Sequence, residues 1–323
     1  MFDLHYLCIR LRYIIPEMET TEDKKKYQFI NPFTDMGFKK IFGQEITKDL
    51  LIDFLNDLLI GEREITDIQF LDKEQLGVTE EDRSLIYDVY CETVTGEKII
   101  VEMQNKSQPF FKDRALYYLS NAIARQGEKG STWQYDVKAV YGVFFINFHL
   151  EQGVEAMRRD IILANKETHK LFSDKMRFIF LELPSFKKEE EECDNDFERW
   201  IYVLKNMETL NRLPFKAQKS VFKKLEQIVD IASMSKADRI KYDESIKKYR
   251  DTLAVMSGQW LEGEAKGLQK GLLKGKAEGL QKGLLKGKAE GLQEAAKNMK
   301  AMGMSYEQIA AATGLSEETI KSL

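Results

Sequence analysis

Two acidic residues lie inside short runs of β-branched and aromatic residues in this 323-residue chain. Asp88 lies in SLIYDVYCE (84–92), and Glu102 lies in EKIIVEMQ (97–104). Such runs predict strands, and the Thr-Gly dipeptide between them predicts a hairpin that brings the two carboxyls together. Burial of an unpaired carboxylate is costly, so a buried one usually has a partner or a metal. The pair therefore suits Mg²⁺ or Mn²⁺, which prefer carboxylate oxygens; the alternative is two edge carboxylates that face solvent.

Side chains of the second strand alternate in direction, because successive residues of a strand point to opposite faces. We expect Glu102 and Gln104 on one face and Met103 on the other. Lys98 and Lys106 share the polar face if the strand keeps its period. This face therefore gathers the polar groups of the strand.

Composition limits the chemistry that the rest of the chain can offer. The three cysteines, Cys8, Cys91 and Cys193, form no CxxC pair, which excludes a zinc knuckle and a disulfide framework and fits a reducing cytoplasm. The chain has only three histidines, which leaves little room for histidine-rich metal sites. No run approaches the roughly 20 apolar residues of a membrane-spanning helix, so no membrane partner is expected. A hydrolytic site must therefore be built mainly from carboxylates.

Periodicity and turn signals predict the elements that position these residues. Helical runs are expected at 31–43, 46–59, 109–126 (with Pro109 in the first turn) and 197–255. Strands are expected at 64–71, 84–92, 97–104, 136–148 and 176–183. The continuous apolar run 136–148 is typical of a strand covered on both faces. This order predicts an α/β fold, with a mixed sheet flanked by helices and followed by a helical C-terminal region.

A perfect repeat marks the C-terminal region. GLQKGLLKGKAE occurs at 267–278 and again at 279–290, and glycine recurs at every fourth position from 263 to 291. Each glycine costs a helix about 1 kcal/mol relative to alanine, so an isolated helix would be weak. The glycine stripe and the leucines beside it favour close contact between helices, and hence self-association. A flexible spacer made by tandem duplication is the alternative.

Charge is distributed unevenly. Residues 256–300 carry nine lysines and five glutamates, a net charge of +4. Residues 1–255 carry a net charge of −6, and the whole chain carries −4. This asymmetry suits an acidic catalytic body with a basic arm for a polyanion; the alternative is a solvated lysine-rich helix. Residues 301–323 read as two short helices around a glycine turn, and their net charge of −2 argues against strong phosphate binding by this element alone.

The residues around the two carboxyls carry a family resemblance. The stretch from NPFTDMGFKKIFG (31–43) through the DVY and VEMQNK segments to RALYYLSNAIARQ (114–126) resembles the bacterial recombination-promoting nuclease/transposase (Rpn) family of the PD-(D/E)XK nuclease superfamily. The resemblance covers roughly residues 28–185, and the glycine-repeat helical end also suits that family. It implies a restriction-endonuclease-like fold and metal-dependent hydrolysis of phosphodiester bonds in DNA.

The resemblance also implies roles for single residues. Asp88 and Glu102 would be ligands of Mg²⁺ or Mn²⁺, with the Met103 carbonyl as a third ligand. Asp35 occupies the acidic position of the N-terminal motif and would contact the metal directly or through one of its ligands; the alternative is that it caps the helix that follows. Gln126, after the hairpin and at the end of the next helix, is a weaker candidate.

Gln104 departs from the family pattern, in which a lysine orients or activates the attacking water. An uncharged amide cannot accept a proton at useful pH, although it can still hold a water. Catalysis would then depend more on the metal and on charge stabilisation at the phosphate. Lys106 is the candidate for the missing positive charge. Variants with Glu-x-Gln form a branch of the superfamily, so the resemblance stands.

We therefore predict four regions. The first is a disordered N-terminal extension at 1–26, in which Met18 is the hypothetical start of translation. The second is a nuclease domain with a helical end at 27–255. A glycine-repeat helix or linker at 256–300 and a small helix-turn-helix-like element at 301–323 follow. The predicted protein is a cytoplasmic Mg²⁺-dependent DNA endonuclease linked to recombination or mobile elements, which self-associates through its C-terminal helical region. The alternative is a catalytically weak, nuclease-derived protein that binds DNA or has a regulatory role.

Overall fold

The computed structural model describes residues 27–75, 85–127, 134–151 and 153–323. The predicted extension at 1–26, with the hypothetical start at Met18, lies outside the described residues. The chain divides after Ala254 into two units.

Helices alternate with groups of strands in the first unit, and helices continue into the second unit. The α-helices are α1 (Asp35–Phe42), α2 (Lys48–Leu58), α3 (Phe111–Ala124), α4 (Asp196–Asn206), α5 (Val221–Val229), α6 (Lys236–Ala301), α7 (Tyr306–Thr313) and α8 (Glu317–Ser322). The strands are β1 (Ile68–Phe70), β2 (Glu74–Gln75), β3 (Leu85–Ile86), β4 (Val89–Thr93), β5 (Lys98–Gln104), β6 (Val140–Ile146), β7 (Arg158–Ala164) and β8 (Leu171–Glu182). Short 3₁₀ turns lie at Glu45–Thr47, Leu183–Ser185, Glu190–Glu192, Met207–Thr209 and Ile231–Ser233.

Six of the strands form one mixed sheet in the order β1-β4-β5-β6-β8-β7. β5, β6 and β8 run parallel to one another, and the remaining neighbours are antiparallel. β2 and β3 form a separate two-stranded ladder. The predicted α/β class, a mixed sheet flanked by helices and followed by a helical C-terminal region, is confirmed.

Helices cover both faces of this sheet. One face packs against α1, α2, α4 and α5 through a cluster of rings that includes Phe42, Phe54 and Trp200. The other face packs against α3, which approaches closely because β6 has a glycine there: a Cβ on Gly142 would lie 2.6 Å from the Leu119 side chain. All seven residues of β6 are buried, as the apolar run predicts. Each large apolar side chain so buried contributes about 1.5–3 kcal/mol of transfer free energy.

Two predicted elements near the hairpin have different bounds. The run 84–92 is not one strand, because β3 ends at Ile86 and β4 begins at Val89. α3 begins at Phe111, after Phe110 in a left-handed conformation (φ 63°), so Pro109 precedes the helix and does not lie in its first turn.

The prediction of continuous helix over 197–255 is wrong between α4 and α5. Residues 210–220 form no helix, because Pro214 cannot donate a backbone hydrogen bond and Phe215 has a positive φ of 63°. The predicted helix is interrupted again between α5 and α6, where Asp230 forms an isolated antiparallel bridge with Phe29 that holds the start of the described chain against the end of α5.

The second unit comprises residues 255–323. Its small core contains Ala296, Ile309 and Ile320. α7 ends at Gly314 in a left-handed conformation (φ 74°), and the Ser316 side chain caps α8 by accepting from the Thr319 N–H. Within the part of the chain that the structure describes, no helix is long and apolar enough to span a bilayer.

Candidate active site

The hairpin of β4 and β5 places Asp88 beside Glu102. Val89 pairs with Val101, so Asp88, immediately before β4, lies opposite Glu102. The Asp88 N–H donates to Glu102 Oε1 at 3.0 Å, and the Met103 N–H donates to Asp88 Oδ2 at 3.0 Å. In a continued antiparallel ladder the Met103 N–H would donate to a backbone carbonyl. The Asp88 carboxylate replaces that carbonyl, which explains the break between β3 and β4.

Glu102 is buried, with 6% of its surface exposed, so the alternative of two solvent-facing edge carboxylates is wrong. Burial raises the pKa of Glu102 to about 8, and the negative charge of Asp88 adds to the rise. Burial also raises the pKa of Asp88, although the hydrogen bond from the Met103 N–H opposes the change. Burial and the Asp88 charge therefore disfavour ionisation of Glu102, burial disfavours ionisation of Asp88, and a cation between the two carboxyls would offset these effects.

The oxygens of this pair are suited to a divalent cation. One oxygen of each carboxyl accepts a backbone N–H, and in the described chain no protein group donates to Asp88 Oδ1 or Glu102 Oε2. Met103 directs its N–H toward Asp88, and because the N–H and C=O of a strand residue point to the same side, its carbonyl oxygen faces that side too. These are hard oxygen donors of the kind that Mg²⁺ and Mn²⁺ prefer.

Among the described residues, the carboxyl pair has no third acidic or histidine ligand. No group of three or more His, Cys, Asp or Glu side chains is arranged to hold a metal anywhere in the described ranges. A metal at this site would therefore depend on Asp88, Glu102 and the Met103 carbonyl, with water completing its coordination.

Gln104 follows Glu102 on the same face of β5, and its amide is already engaged. Its Oε1 accepts from Arg114 Nη2 at 2.7 Å, and its Nε2 donates to the Lys106 carbonyl at 2.8 Å. β5 ends at Gln104, so the strand period that would place the Lys106 side chain on the polar face does not continue. The charges that act on both carboxyls include those of Arg114 and Lys39, each of which lowers the pKa of Asp88 and Glu102.

Lys39, one of these two cations, lies on α1. Lys39 Nζ forms an ion pair with Asp35 at 2.6 Å, one helical turn apart. Asp35 does not cap the helix: Thr34 is the N-cap, and its hydroxyl accepts from the Gly37 N–H. The Asp35 charge raises the pKa of Asp88, so the ion pair lies within electrostatic reach of the carboxyls. Asp35 thus holds a cation near the site.

Two contacts fix α1 against the end of β5. Asn105 Nδ2 donates to the Phe33 carbonyl at 2.7 Å, directly before the helix. The Phe38 ring packs on the Phe145 ring with centroids 5.6 Å apart, and Phe145 is the β6 partner of Met103. The N-terminal motif therefore belongs to the same end of the sheet as the carboxyl pair.

Gln126 and Lys98 lie at the other end of the sheet. Gln126 exchanges two hydrogen bonds with the backbone of Lys138, at 2.7 and 3.1 Å, just before β6. Lys98, at the start of β5, pairs with Glu92 at 2.6 Å. Glu102 is four residues further along β5, about 13 Å at the usual rise of a strand, so Gln126 is not brought to the site.

Sequence analysis missed Lys39 and Arg114. The spacing of Asp35 and Lys39 by four residues in a helical run could have indicated an ion pair on one helix face. For Arg114 the signal was weaker, since only the packing of α3 on the sheet shows that its guanidinium meets Gln104.

A family comparison covers this whole region. The family described as PD-(D/E)XK nuclease family transposase matches residues 32–259, which is more than half of the chain and includes α1, the hairpin and α3. No curated protein and no solved structure matches the chain significantly.

Proposed function

The chain belongs to the PD-(D/E)XK nuclease family transposases and has their restriction-endonuclease-like fold, and from this premise we propose that it is a metal-dependent DNA endonuclease. The substrate is the phosphodiester backbone of duplex DNA, and the metal is Mg²⁺ or Mn²⁺. A link to recombination or mobile elements follows only from the family's name. The cytoplasmic location remains a prediction from the cysteines.

One observation supports the proposal above all others: the reciprocal pair of hydrogen bonds that joins Asp88 and Glu102. The Asp88 N–H binds the Glu102 carboxyl while the Met103 N–H binds the Asp88 carboxyl, each at 3.0 Å. This arrangement fixes the buried Glu102 carboxyl beside the half-buried Asp88 carboxyl at a cost in electrostatic free energy, since burial raises both pKa values and the Asp88 charge raises that of Glu102 further. Perturbed carboxyls of this kind concentrate at functional sites.

Different residues of the site would have different roles in the reaction. Asp88, Glu102 and the Met103 carbonyl would hold the cation, and Asp35 keeps Lys39 near the carboxyls. When bound, a divalent cation supplies Lewis acidity for activating water and offsets charge on the scissile phosphate. The Gln104 amide is engaged by Arg114 and by the Lys106 carbonyl, so it fixes neighbouring groups and does not act as a base.

Cleavage of supercoiled plasmid DNA tests the proposal. The purified full chain is expected to nick or cut the plasmid with Mg²⁺ or Mn²⁺, and Asp88→Ala or Glu102→Ala is expected to abolish cutting. Glu92→Ala is the matched control, because Glu92 lies on the same hairpin but pairs with Lys98. Cutting by both site variants at the wild-type rate would contradict the proposal. Binding without cutting by the wild-type chain, across several divalent metals, would instead identify a DNA-binding or regulatory protein.

We also propose that α6 joins copies of the chain. Leucines of the repeat are exposed on it, among them Leu268 at 75% and Leu280 at 73%. Nothing lies within 4 Å of a Cβ added to any glycine from 263 to 291, so this stripe has room for a second helix. Light scattering is expected to show an oligomer that Leu272→Glu with Leu284→Glu dissociates, whereas Lys274→Glu leaves it intact. A monomeric wild-type chain would contradict the assignment and favour a spacer.

A further inference from the structure

Arg114 is held in place by neutral partners. Its Nη2 donates to Gln104 Oε1 at 2.7 Å and its Nη1 donates to Gln108 Oε1 at 3.2 Å. Its guanidinium also lies over the Phe111 and Tyr118 rings, 5.5 and 5.7 Å from their centroids. Two amide acceptors and two ring faces fix the orientation of the guanidinium without neutralising its charge.

The charge of Arg114 is not compensated by an acidic side chain. In the described segments it makes no ion pair, whereas Arg159 and Arg177, which are also partly buried, each contact carboxylates. A guanidinium presents planar N–H donors that match phosphate, and one without a carboxylate partner is available for an anion.

The position of Arg114 relates it to the carboxyl pair. Gln104 lies two residues after Glu102, on the same face of β5, and Arg114 bonds directly to it. The Arg114 charge opposes the rise in the pKa of both Glu102 and Asp88, which agrees with this proximity. A phosphate held at the carboxyl pair would therefore lie within reach of the guanidinium.

We propose that Arg114 is the phosphate-binding cation of the site and that Gln104 is its positioning residue, so that the two together replace the lysine of the D…ExK signature. This inference rests on the proposed nuclease function and adds the residue that stabilises charge on the scissile phosphate.

The chemistry of glutamine explains why it suits this position. Its Oε1 accepts from a guanidinium, whereas lysine has no acceptor and would bring a second positive charge against Arg114. Gln104 and Arg114 therefore form a matched pair, and a lysine at position 104 is expected to lower activity when Arg114 is present and to raise it when Arg114 is replaced.

The first test is cleavage of plasmid DNA by single variants of the full chain. Arg114→Gln is expected to lower kcat/KM by about 10²–10³-fold, as loss of one charge-stabilising donor does in other enzymes. Lys112→Gln is the matched control on the same helix, since Lys112 is exposed and its ammonium pairs with the exposed Glu151, at 3.4 Å. Near wild-type cutting by Arg114→Gln, with Lys112→Gln equally active, would overturn the inference while leaving the nuclease function intact.

The second test is a rescue that a merely structural role would not produce. Gln104→Lys alone is expected to slow cutting, but Gln104→Lys in the Arg114→Gln background is expected to cut faster than Arg114→Gln alone. Thermal unfolding of each variant checks that the fold is retained. If Gln104→Lys has the same effect with and without Arg114, the two residues are not a pair and the positioning role is wrong.

A binding measurement separates failure of this inference from failure of the proposed function. In an Asp88→Asn background, which is not expected to cut, Arg114→Gln should weaken binding of a short DNA duplex and reduce the salt-dependence slope by about 0.9, the value for one phosphate contact. Lys112→Gln in that background is the control. An unchanged affinity and slope would overturn the inference even if the wild-type chain does not cut DNA.

Discussion

Glu102 and Glu182 are both buried glutamates near the carboxyl ends of parallel strands, yet their surroundings differ. Glu182, at the end of β8 and 0% exposed, bonds to Arg159 and lies 3.3 Å from His149 Nδ1. Glu102, on β5, accepts a backbone N–H and has a second carboxyl, Asp88, as its neighbour. Ile146 of β6 lies between the ends of β5 and β8 and pairs with residues of both, so the two glutamates lie at the same end of the sheet.

The difference shows which buried carboxylate has a compensating positive charge within the fold. Glu182 has its counter-charge supplied by Arg159 of the chain, which is the arrangement expected of a structural ion pair. Among the described residues, no positively charged side chain lies at ion-pair distance from Glu102 or Asp88. The two cations whose charges act on this pair, Lys39 and Arg114, are held by other partners. We infer that the compensation of the Asp88 and Glu102 charges comes from outside the chain, as a metal cation, and that the Arg114 charge serves a phosphate.

The largest contrast is expected in activity. Glu102→Gln should lower the rate of plasmid cutting by at least about 10³-fold, since the amide oxygen is a poor metal ligand and carries no charge. Glu182→Gln should cut near the wild-type rate per folded molecule, because its charge serves Arg159 and not a metal. Equal losses in the two variants, measured at matched folded fraction, would remove the distinction between the two glutamates.

The reverse contrast is expected in stability. Glu182→Gln should lower the free energy of unfolding by about 3 kcal/mol, because the partly buried Arg159 loses its buried carboxylate partner and keeps only weaker contacts such as that with the exposed Glu151 at 3.8 Å. Glu102→Gln retains the acceptor for the Asp88 N–H and should not destabilise the metal-free protein. Urea unfolding at pH 7.5 measures both; a Glu182→Gln variant as stable as the wild type would show that this ion pair is not structural.

The pH dependence of stability sharpens the contrast further. The folded-state pKa of Glu102 is raised to about 8, so the folded state holds a proton that the unfolded state releases at lower pH. This contribution is favourable at low pH and is lost as pH rises from about 4.5 to about 8. Glu102→Gln should therefore flatten the decline of metal-free stability in that window, by on the order of 1–3 kcal/mol at pH 8. Identical pH profiles of the variant and the wild type would contradict the raised pKa.

The smallest effect is expected at α1. Lys39→Gln should slow cutting by about tenfold, an energy of roughly 1.4 kcal/mol, because it removes one positive charge from the neighbourhood of the carboxyls. Lys40→Gln is the matched control, since it removes a charge one residue away on the same helix. Equal rates for the two variants would show that the ion pair of Lys39 with Asp35 serves α1 alone.

Sequence reasoning succeeded where local patterns determine structure. The alternation of β4 and β5 and the turn at Thr95-Gly96, with Gly96 at φ 93°, predict the hairpin and therefore the meeting of Asp88 with Glu102. The break at Asp88 was not predictable, because it depends on which side chain takes the Met103 N–H.

Contacts between distant segments were the other limit. Arg114 reaches Gln104 only because α3 packs across the sheet, and Arg159 reaches Glu182 only because β7 turns back beside β8. Local periodicity carries no signal for such pairs. The engaged amide of Gln104, which sequence reasoning assigned to a bound water, follows from these contacts as well.

A crystal of the full chain grown with Mn²⁺ tests the central claim most directly. The anomalous difference map is expected to show one peak within about 2.0–2.4 Å of an oxygen of Asp88 and an oxygen of Glu102, with the Met103 carbonyl oxygen beside it. Well-ordered carboxyls with no peak at saturating Mn²⁺, or with the Lys39 ammonium bound between them, would contradict the account.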